Sequence, residues 1–417
     1  MSMNGYQCFA CSATQATEFE GFLCPVCGGN LDVTYDYDEA AAGIDESFKN
    51  GANDLFRFAA LLPLRQPRPP FELRVGGTPF YPVRPLAEMN GMSGLYLKDE
   101  TLNPSASLKD RASAVTIGRA VDVGASVVSV ASTGNAGSSL ACLAAAAGLA
   151  SVVFVPANAP VAKLTQMLVF GARVLAVLGN YDDAYDLCLA ASAEFDWYNR
   201  STGYNPFTRE GKKTCAYEIW QDLGGRVPDR IVVSTGDGNT LSAIWKGWCD
   251  LKSVGLIDTL PRIDCVQSQA SAAISETVRQ VRNEAGREPD WSALVVKQVN
   301  ASTIADSISV NRPRDGLAAV KAVIQSGGEA VTVADQEILA AIPEMARATG
   351  VFGEPAAATP WAGLKQMILQ RKVDPKEVVV CIVSGSGLKD ISSARTVAGE
   401  PQLIEPTLEA VRECQPG

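Results

Sequence analysis

The chain contains no histidine in 417 residues. That absence removes the commonest general base and the commonest transition-metal ligand. A Ser-His-Asp triad, a Cys-His pair and a His-ligated catalytic zinc are all excluded. Proton transfer must fall to Lys, Asp, Glu, Tyr, water or a cofactor. Positive charge is also short: Lys+Arg is 36 against 46 Asp+Glu, a net charge of -10. This balance argues against a nucleic-acid partner and against an anionic membrane surface. It leaves room for a locally positive site. No apolar run approaches the roughly 18 residues of a transmembrane helix. Residues 1–10 lack the basic stretch and apolar run of a secretory signal. No internal repeat or low-complexity tract is visible.

What is present is an ordinary globular balance, 47% hydrophobic and 20% charged. The length exceeds what one hydrophobic core usually serves, so two or three domains are expected. There are 11 cysteines, an odd and scattered set. Free thiols in a reducing cytoplasm suit it better than a disulfide scaffold. Cys8-x2-Cys11 and Cys24-x2-Cys27 form two knuckles near the N-terminus. Four thiolates spaced this way close a tetrahedral site, so structural zinc is expected. Iron is the minor variant, because the ligand set alone does not separate the metals. Pro25 and Gly28-Gly29 suit the tight turn that brings backbone N–H groups to sulfur.

The ribbon-like unit occupies residues 1–35, and 36–75 reads as a helical connector. Its stretch Pro63–Pro70 has the composition of a stiff linker. From about residue 76, apolar β-branched runs alternate with helical periodicity. Strands are predicted at Val127–Ala131, Val152–Val155, Val174–Val177, Ile231–Val233, Ile263–Val266, Ala330–Val333 and Val378–Val383. Helices are predicted at Gly137–Ala147, Tyr181–Phe195, Lys212–Leu223 and Leu241–Leu251. The class is therefore α/β, with mostly parallel sheets covered on both faces. Ligands in such sheets sit where strands end in glycine-rich turns. Three turns qualify: Ser132-Thr133-Gly134-Asn135-Ala136-Gly137, Ser234-Thr235-Gly236-Asp237-Gly238-Asn239 and Ser384-Gly385-Ser386-Gly387.

The most telling segment is Asn103-Pro104-Ser105-Ala106-Ser107-Leu108-Lys109-Asp110-Arg111. Asn103-Pro104 ends an extended run, and Ser105 or Ser107 can cap a helix beginning near Lys109. A lysine in a first helical turn faces the positive end of the helix dipole. That favours the neutral amine needed for attack on a carbonyl. The alternative is an exposed lysine paired with Asp110.

This segment resembles the Asn-Pro-Thr-Gly-Ser-Phe-Lys-Asp-Arg motif of fold-type II pyridoxal-phosphate (PLP) enzymes, the tryptophan synthase β-like family. The resemblance runs from about Gly76 to Asp390 and is nearest to threonine synthases, some of which carry an N-terminal zinc-ribbon-like segment. It implies that Lys109 holds the cofactor and moves protons. It implies that Ser132, Thr133, Gly134, Asn135 and Ala136 cradle the substrate carboxylate, with Asn135 also facing the ring 3′-oxygen. Gly236, Asp237, Gly238, Asn239 and Thr240 match the phosphate-binding loop, with the Asp237 side chain turned away. Ser384 takes the place of the threonine that faces the pyridine nitrogen. The family's two α/β domains would be residues 76–111 with 207–417 (large, PLP-binding) and 112–206 (small). A homodimer acting on a small amino acid is the family expectation.

Tyr204-Asn205-Pro206-Phe207-Thr208-Arg209-Glu210-Gly211-Lys212-Lys213-Thr214 resembles the family's Asn-Pro-Tyr-Arg-x-Glu-Gly-x-Lys-Thr. Where many threonine synthases place a phosphate-binding arginine, this chain has Thr208. Arg209, Lys98 and Lys213 are the replacements the sequence offers. Ala305-Asp306-Ser307 partly resembles the Ala-Asp-Gly of serine/threonine dehydratases. The expected activity is conversion of O-phosphohomoserine and water to threonine and phosphate. The alternatives are β-replacement (a cysteate synthase using phosphoserine and sulfite), a Ser/Thr ammonia-lyase, or a non-catalytic protein on the same scaffold.

Overall fold

The computed structural model describes residues 2–66, 70–132, 134–157, 159, 161–284 and 289–414. Strands β1 (Met3–Cys8), β2 (Thr14–Gln15) and β3 (Leu31–Tyr35) form a small antiparallel sheet that carries the two cysteine knuckles. Helices α1 (Tyr37–Ala42) and α2 (Glu46–Asn50) and a 3-10 turn at Leu55–Leu61 follow. This connector is not a free tether. Phe58 packs edge-on against Phe48 and against Tyr217 of the main body, and Phe48 lies tilted against the same Tyr217. Of the expected linker, residues 67–69 lie outside the described residues. Its described part is docked, with Leu64 buried against Gly118, and Phe71 just beyond it is buried too.

The body continues with β4 (Phe80–Pro82), α3 (Arg84–Met89), β5 (Gly94–Asp99), α4 (Lys109–Asp122), β6 (Val127–Ala131) and α5 (Asn135–Ala146). Next come β7 (Ala150–Pro156), α6 (Val161–Val169), β8 (Arg173–Val177), α7 (Tyr181–Glu194) and β9 (Tyr198–Asn199). They are followed by α8 (Phe207–Lys212), α9 (Thr214–Asp222), β10 (Arg230–Ser234), α10 (Asn239–Ser253) and β11 (Arg262–Ser268). The last strands are β12 (Ala330–Val333) and β13 (Val378–Val383). A six-stranded sheet has the order β12-β11-β10-β13-β5-β4, and a four-stranded sheet the order β8-β7-β6-β9. All pairings in these two sheets are parallel except β4 with β5. Strands buried on both faces explain the unbroken Val/Ile runs, such as the Ile231-Val232-Val233 core of β10. Among the described residues no helix is long and apolar enough to cross a membrane.

One buried ionic network fixes the start of α4. Arg111 donates from Nε to Glu100 at 2.7 Å and from Nη2 to Glu218 at 2.6 Å, and Lys98 lies 2.9 Å from Glu218. All four side chains are essentially inaccessible to solvent. Facing Arg111 and Lys98, the Glu218 carboxyl is held well below the usual range. Glycine at 211 lets α8 cross α4 closely. A Cβ there would lie 1.9 Å from the Arg111 carbonyl oxygen. That crossing sets the residues after Gly211 beside those after Lys109.

Candidate active site

Three helices begin at one cleft: α4 at Lys109, α5 at Asn135 and α10 at Asn239. The cleft lies at the carboxyl ends of β6, β10 and β13, as expected for a parallel sheet. It is lined by Lys109, Ser132, Gly134, Asn135 and Ala136, by the whole Gly236–Thr240 loop, and by Ser384. So the segments singled out in the sequence, more than 270 residues apart at their extremes, meet in one place. Thr133 lies outside the described residues.

Lys109 starts α4 without the expected serine cap; Leu108 is the cap residue. Ser105 instead binds Asp110, through its backbone N at 2.6 Å and its hydroxyl at 2.5 Å. This occupies the Asp110 carboxylate, so the alternative of a Lys109–Asp110 pair is not realised. Burial pushes the Lys109 amine below the usual lysine value, Glu354 opposes this, and Arg200 and Lys163 reinforce it. Burial therefore outweighs the helix position as the cause.

The glycine loop is shaped by steric need. Gly238 has φ +94, and a Cβ there would meet the Asp315 carbonyl oxygen at 2.8 Å. Asp237 accepts from the Arg314 backbone N–H at 3.2 Å. Burial pushes its carboxyl up to about 6. Asn135 donates to Glu354 at 2.5 Å and to Ser307 at 3.2 Å, while its buried Oδ1 has no partner. Lys163 crosses the cleft wall to Asp306 at 2.5 Å; a Cβ on Gly134 would lie 2.5 Å from its stem. Asp306 and Ser307 line the cleft, so the dehydratase-like segment belongs to the site.

Arg209 is not brought to the cleft, which corrects the sequence expectation. Its guanidinium binds Asp315 at 2.6 Å and Asp32 of the ribbon at 3.0 Å, and lies 4.4 Å over the Phe9 ring. The other two candidates are also committed. Lys98 belongs to the network with Glu218 and Asp222, and Lys213 pairs with Glu210 and Asp250. Sequence reasoning missed Lys212, Tyr181 and Glu354, whereas Thr202, which lines the cleft, stands with Gly203 where the family has an Asn-Ser pair. Lys212 and Tyr181 lay inside segments already singled out. For Lys212 the signal was helical spacing, since Thr208 and Lys212 stand four apart on one face of α8.

The cysteines also converge. The four Sγ atoms lie within 4.8 Å of one another, with contacts of 3.4, 3.5 and 3.7 Å. Tetrahedral coordination at about 2.3 Å requires Sγ–Sγ edges of about 3.8 Å. A Cβ on Gly29 would crowd Cys8 and Cys27 Sγ, at 3.1 and 3.2 Å.

A cleft at the strand ends of a doubly covered parallel sheet, with a half-buried lysine at a helix start and a glycine loop, is the setting of a cofactor-dependent enzyme. The chain belongs to the pyridoxal-phosphate-dependent enzyme family, whose match spans residues 71–385. Its curated relatives include the threonine synthase of Methanosarcina acetivorans, 35% identical over 98% of this chain and 97% of the relative. The threonine synthase of Methanocaldococcus jannaschii is 36% identical over 96% of each chain. Among solved structures, threonine deaminase isoform 2 of Solanum lycopersicum superposes with a TM-score of 0.62 at 20% identity. It covers 78% of this chain and 88% of that one. A PLP-dependent aspartate racemase gives 0.64 at 22%, over 76% and 92%. These neighbours share the fold-type II arrangement.

Proposed function

We propose that this chain is a threonine synthase, converting O-phosphohomoserine and water to threonine and phosphate at the cleft around Lys109. The observation that carries the reading is the convergence of Lys109, the Asn135 turn, the Gly236–Thr240 loop and Ser384, in a chain related to threonine synthases along nearly its whole length.

The cleft fits PLP. The N–H groups of residues 236–240, at the start of α10, suit its phosphate. Asn135 lines the cleft, where its side-chain amide N–H is the donor for the ring oxygen. Ser384 provides a hydroxyl for the pyridine nitrogen, a weaker partner than a carboxylate. When bound, the cofactor supplies an electron sink for the carbon that loses its proton. The residues of this chain do the rest. Lys109 carries the cofactor, and once released takes the Cα proton and later a Cβ proton. In a protein without histidine, this lysine is the base at hand. The turn 132–136 holds the substrate carboxylate by backbone N–H groups and hydroxyls. Removal of the Cβ proton expels phosphate from Cγ, Lys109 returns a proton to Cγ, and cleft closure excludes bulk water until one molecule adds at Cβ.

The Cys8, Cys11, Cys24 and Cys27 set fits structural zinc, with four protein ligands and no open position. We read residues 76–111 with 207–417 as the large domain and 112–206 as the small one. The division is supported by a four-stranded sheet drawn from within 127–199. A cytoplasmic homodimer is the assembly we expect; the odd, scattered set of 11 cysteines supports a reducing compartment.

The test is a product analysis on protein loaded with PLP. Threonine and phosphate from O-phosphohomoserine support the reading. Turnover only of phosphoserine with sulfite, or keto-acid release from threonine or serine, overturns it in favour of the related activities.

A further inference from the structure

The cleft holds a cation for which no role has been assigned, and a second stands close behind it. Among the described residues lining the cleft, only Lys109 and Lys212 are cationic. Lys212 is 2% exposed and its ammonium meets a neutral acceptor, Asn239 Oδ1, at 2.6 Å. No carboxylate pairs with it among the described residues. Arg200, fully buried, stands behind the same wall. It makes three long hydrogen bonds: to Ser113 Oγ at 3.2 Å, Thr202 Oγ1 at 3.4 Å and the Lys109 carbonyl at 3.5 Å. It too has no ion pair among the described residues.

Burying a cation without a counter-ion is costly. Away from the cleft Lys98, Arg111, Arg209, Lys213, Arg230 and Lys246 each meet a carboxylate, and buried Lys389, held by Ser138 and Gln166, is the exception. Burial, with Lys109 and Arg200 nearby, holds the Lys212 amine well below its usual value, against the weaker pull of Asp315 and Asp237. Burial also brings Arg200 down to about 10. Two buried cations without counter-ions beside a cleft mark a place prepared for an anion.

Helix geometry says which anion. Thr208 stands where many threonine synthases carry the arginine that binds the substrate phosphate. Its hydroxyl is spent on the Asn205 carbonyl at 2.8 Å. Lys212 lies one helical turn further on the same face of α8, and Gly211 presses that turn against α4 beside Lys109. We propose that Lys212, backed by Arg200, forms the subsite for the phosphate ester of the substrate, in place of the arginine absent at 208. Lys212 touches the ester oxygens. Arg200 is a positioning residue, which holds Thr202 and the first turn of α4 and adds positive field. This assignment rests on the threonine synthase reading.

The test uses PLP-loaded full-length protein, wild type and Lys212→Met, with Lys212→Arg as the conservative variant. Losing a charged hydrogen bond to the ester should raise KM for O-phosphohomoserine about ten- to hundredfold. The PLP dissociation constant, from titration of the apoprotein, should stay within about threefold, and Lys212→Arg should restore most of the KM. An unchanged KM overturns the proposal. So does a collapse of PLP affinity with KM unchanged at saturating PLP, which would assign Lys212 to the cofactor's own phosphate. A second readout needs no turnover: inorganic phosphate should perturb the visible absorbance of the loaded wild type and not that of Lys212→Met. If the wild type makes no threonine, the functional reading fails. The phosphate titration still judges the subsite.

Discussion

Helix α8 separates two regions that treat positive charge in opposite ways. Toward the ribbon, Arg209, Lys213 and Lys246 are each matched with carboxylates from Asp32, Glu210, Asp250 and Asp315. Toward the cleft, Lys212 and Arg200 are buried with neutral hydrogen-bond partners, and half-buried Lys109 forms no ion pair among the described residues. The first region is architecture: breaking one of its pairs strands a charge. The second is poised for ligands, because its charges are completed only when an anion or a carbonyl arrives. The two regions touch at Asp315, which binds Arg209 and also accepts from Asn239 of the glycine loop at 2.9 Å. A ribbon contact thus bears on the Gly236–Thr240 loop at the cleft.

Substitutions on the two faces should separate cleanly. Lys109→Ala should lower turnover by at least about 10³, the usual scale of acid/base loss, while unfolding free energy stays near wild type. Full turnover in steady-state assays of that variant would remove Lys109 from the site. On the ribbon face the pattern should invert. Arg209→Met leaves Asp315 buried without its guanidinium and should cost about 3–5 kcal/mol, read by denaturant unfolding. If Arg209→Met left stability intact and instead raised KM for the phosphorylated substrate, the arginine would belong to the cleft after all.

Much of this division was legible beforehand. The strands Val127–Ala131, Ala330–Val333 and Val378–Val383 begin and end where their β-branched runs do. Such runs are the signature of strands buried on both faces. β4 and β5 were not foreseen. β4 is three residues on a sheet edge, and Gly94-Leu95-Tyr96-Leu97-Lys98-Asp99 ends in charges, of which Lys98 is accounted for only by the Arg111 network. Lys109 and the three turns were legible because their chemistry is local to short motifs. Arg209 was misplaced for a physical reason. Position 209 looks close to 208 in the sequence, but one residue on a helix is a turn of about 100°. Lys212, four residues from 208, is the true neighbour. Glu354 had no local signal, since its place beside Asn135 depends on packing across 219 residues.

Asp237 sharpens the comparison, being a carboxylate on the side that favours anions. Its folded carboxyl titrates at about 6, above the ordinary value of 3.8. The neutral acid therefore favours the fold. That contribution is complete below the unfolded value and is lost as pH rises through about 6. Each tenfold difference in proton affinity between the folded and unfolded chain is worth about 1.4 kcal/mol. Across that window the apoprotein should therefore lose up to about 3 kcal/mol that Asp237→Asn retains. Parallel unfolding curves for the two proteins at pH 4.5 and pH 7 would show that no such penalty exists.

The smallest effect lies in the loop just before Lys109. Ala106 sits at φ 63, in the left-handed region, where the resembling motif has glycine. Its neighbours hold it there. Its N–H reaches the Asn103 carbonyl at 2.7 Å, its carbonyl accepts from the Ser386 N–H at 3.1 Å, and Ser107 bridges to Gly385. A side chain in this conformation costs about 1–2 kcal/mol. Glycine would relieve that strain, but its freer unfolded chain takes back about 0.4–1 kcal/mol. Ala106→Gly should therefore stabilise the protein by no more than about 1.6 kcal/mol, with kcat unchanged. A clear loss of stability would mean that the Ala106 methyl is held by packing worth more than the strain. A rise in kcat would mean that strain beside Lys109 slows the reaction. The cleft would then be a region that stores backbone strain as well as uncompensated charge, in contrast to the matched layer beneath the ribbon.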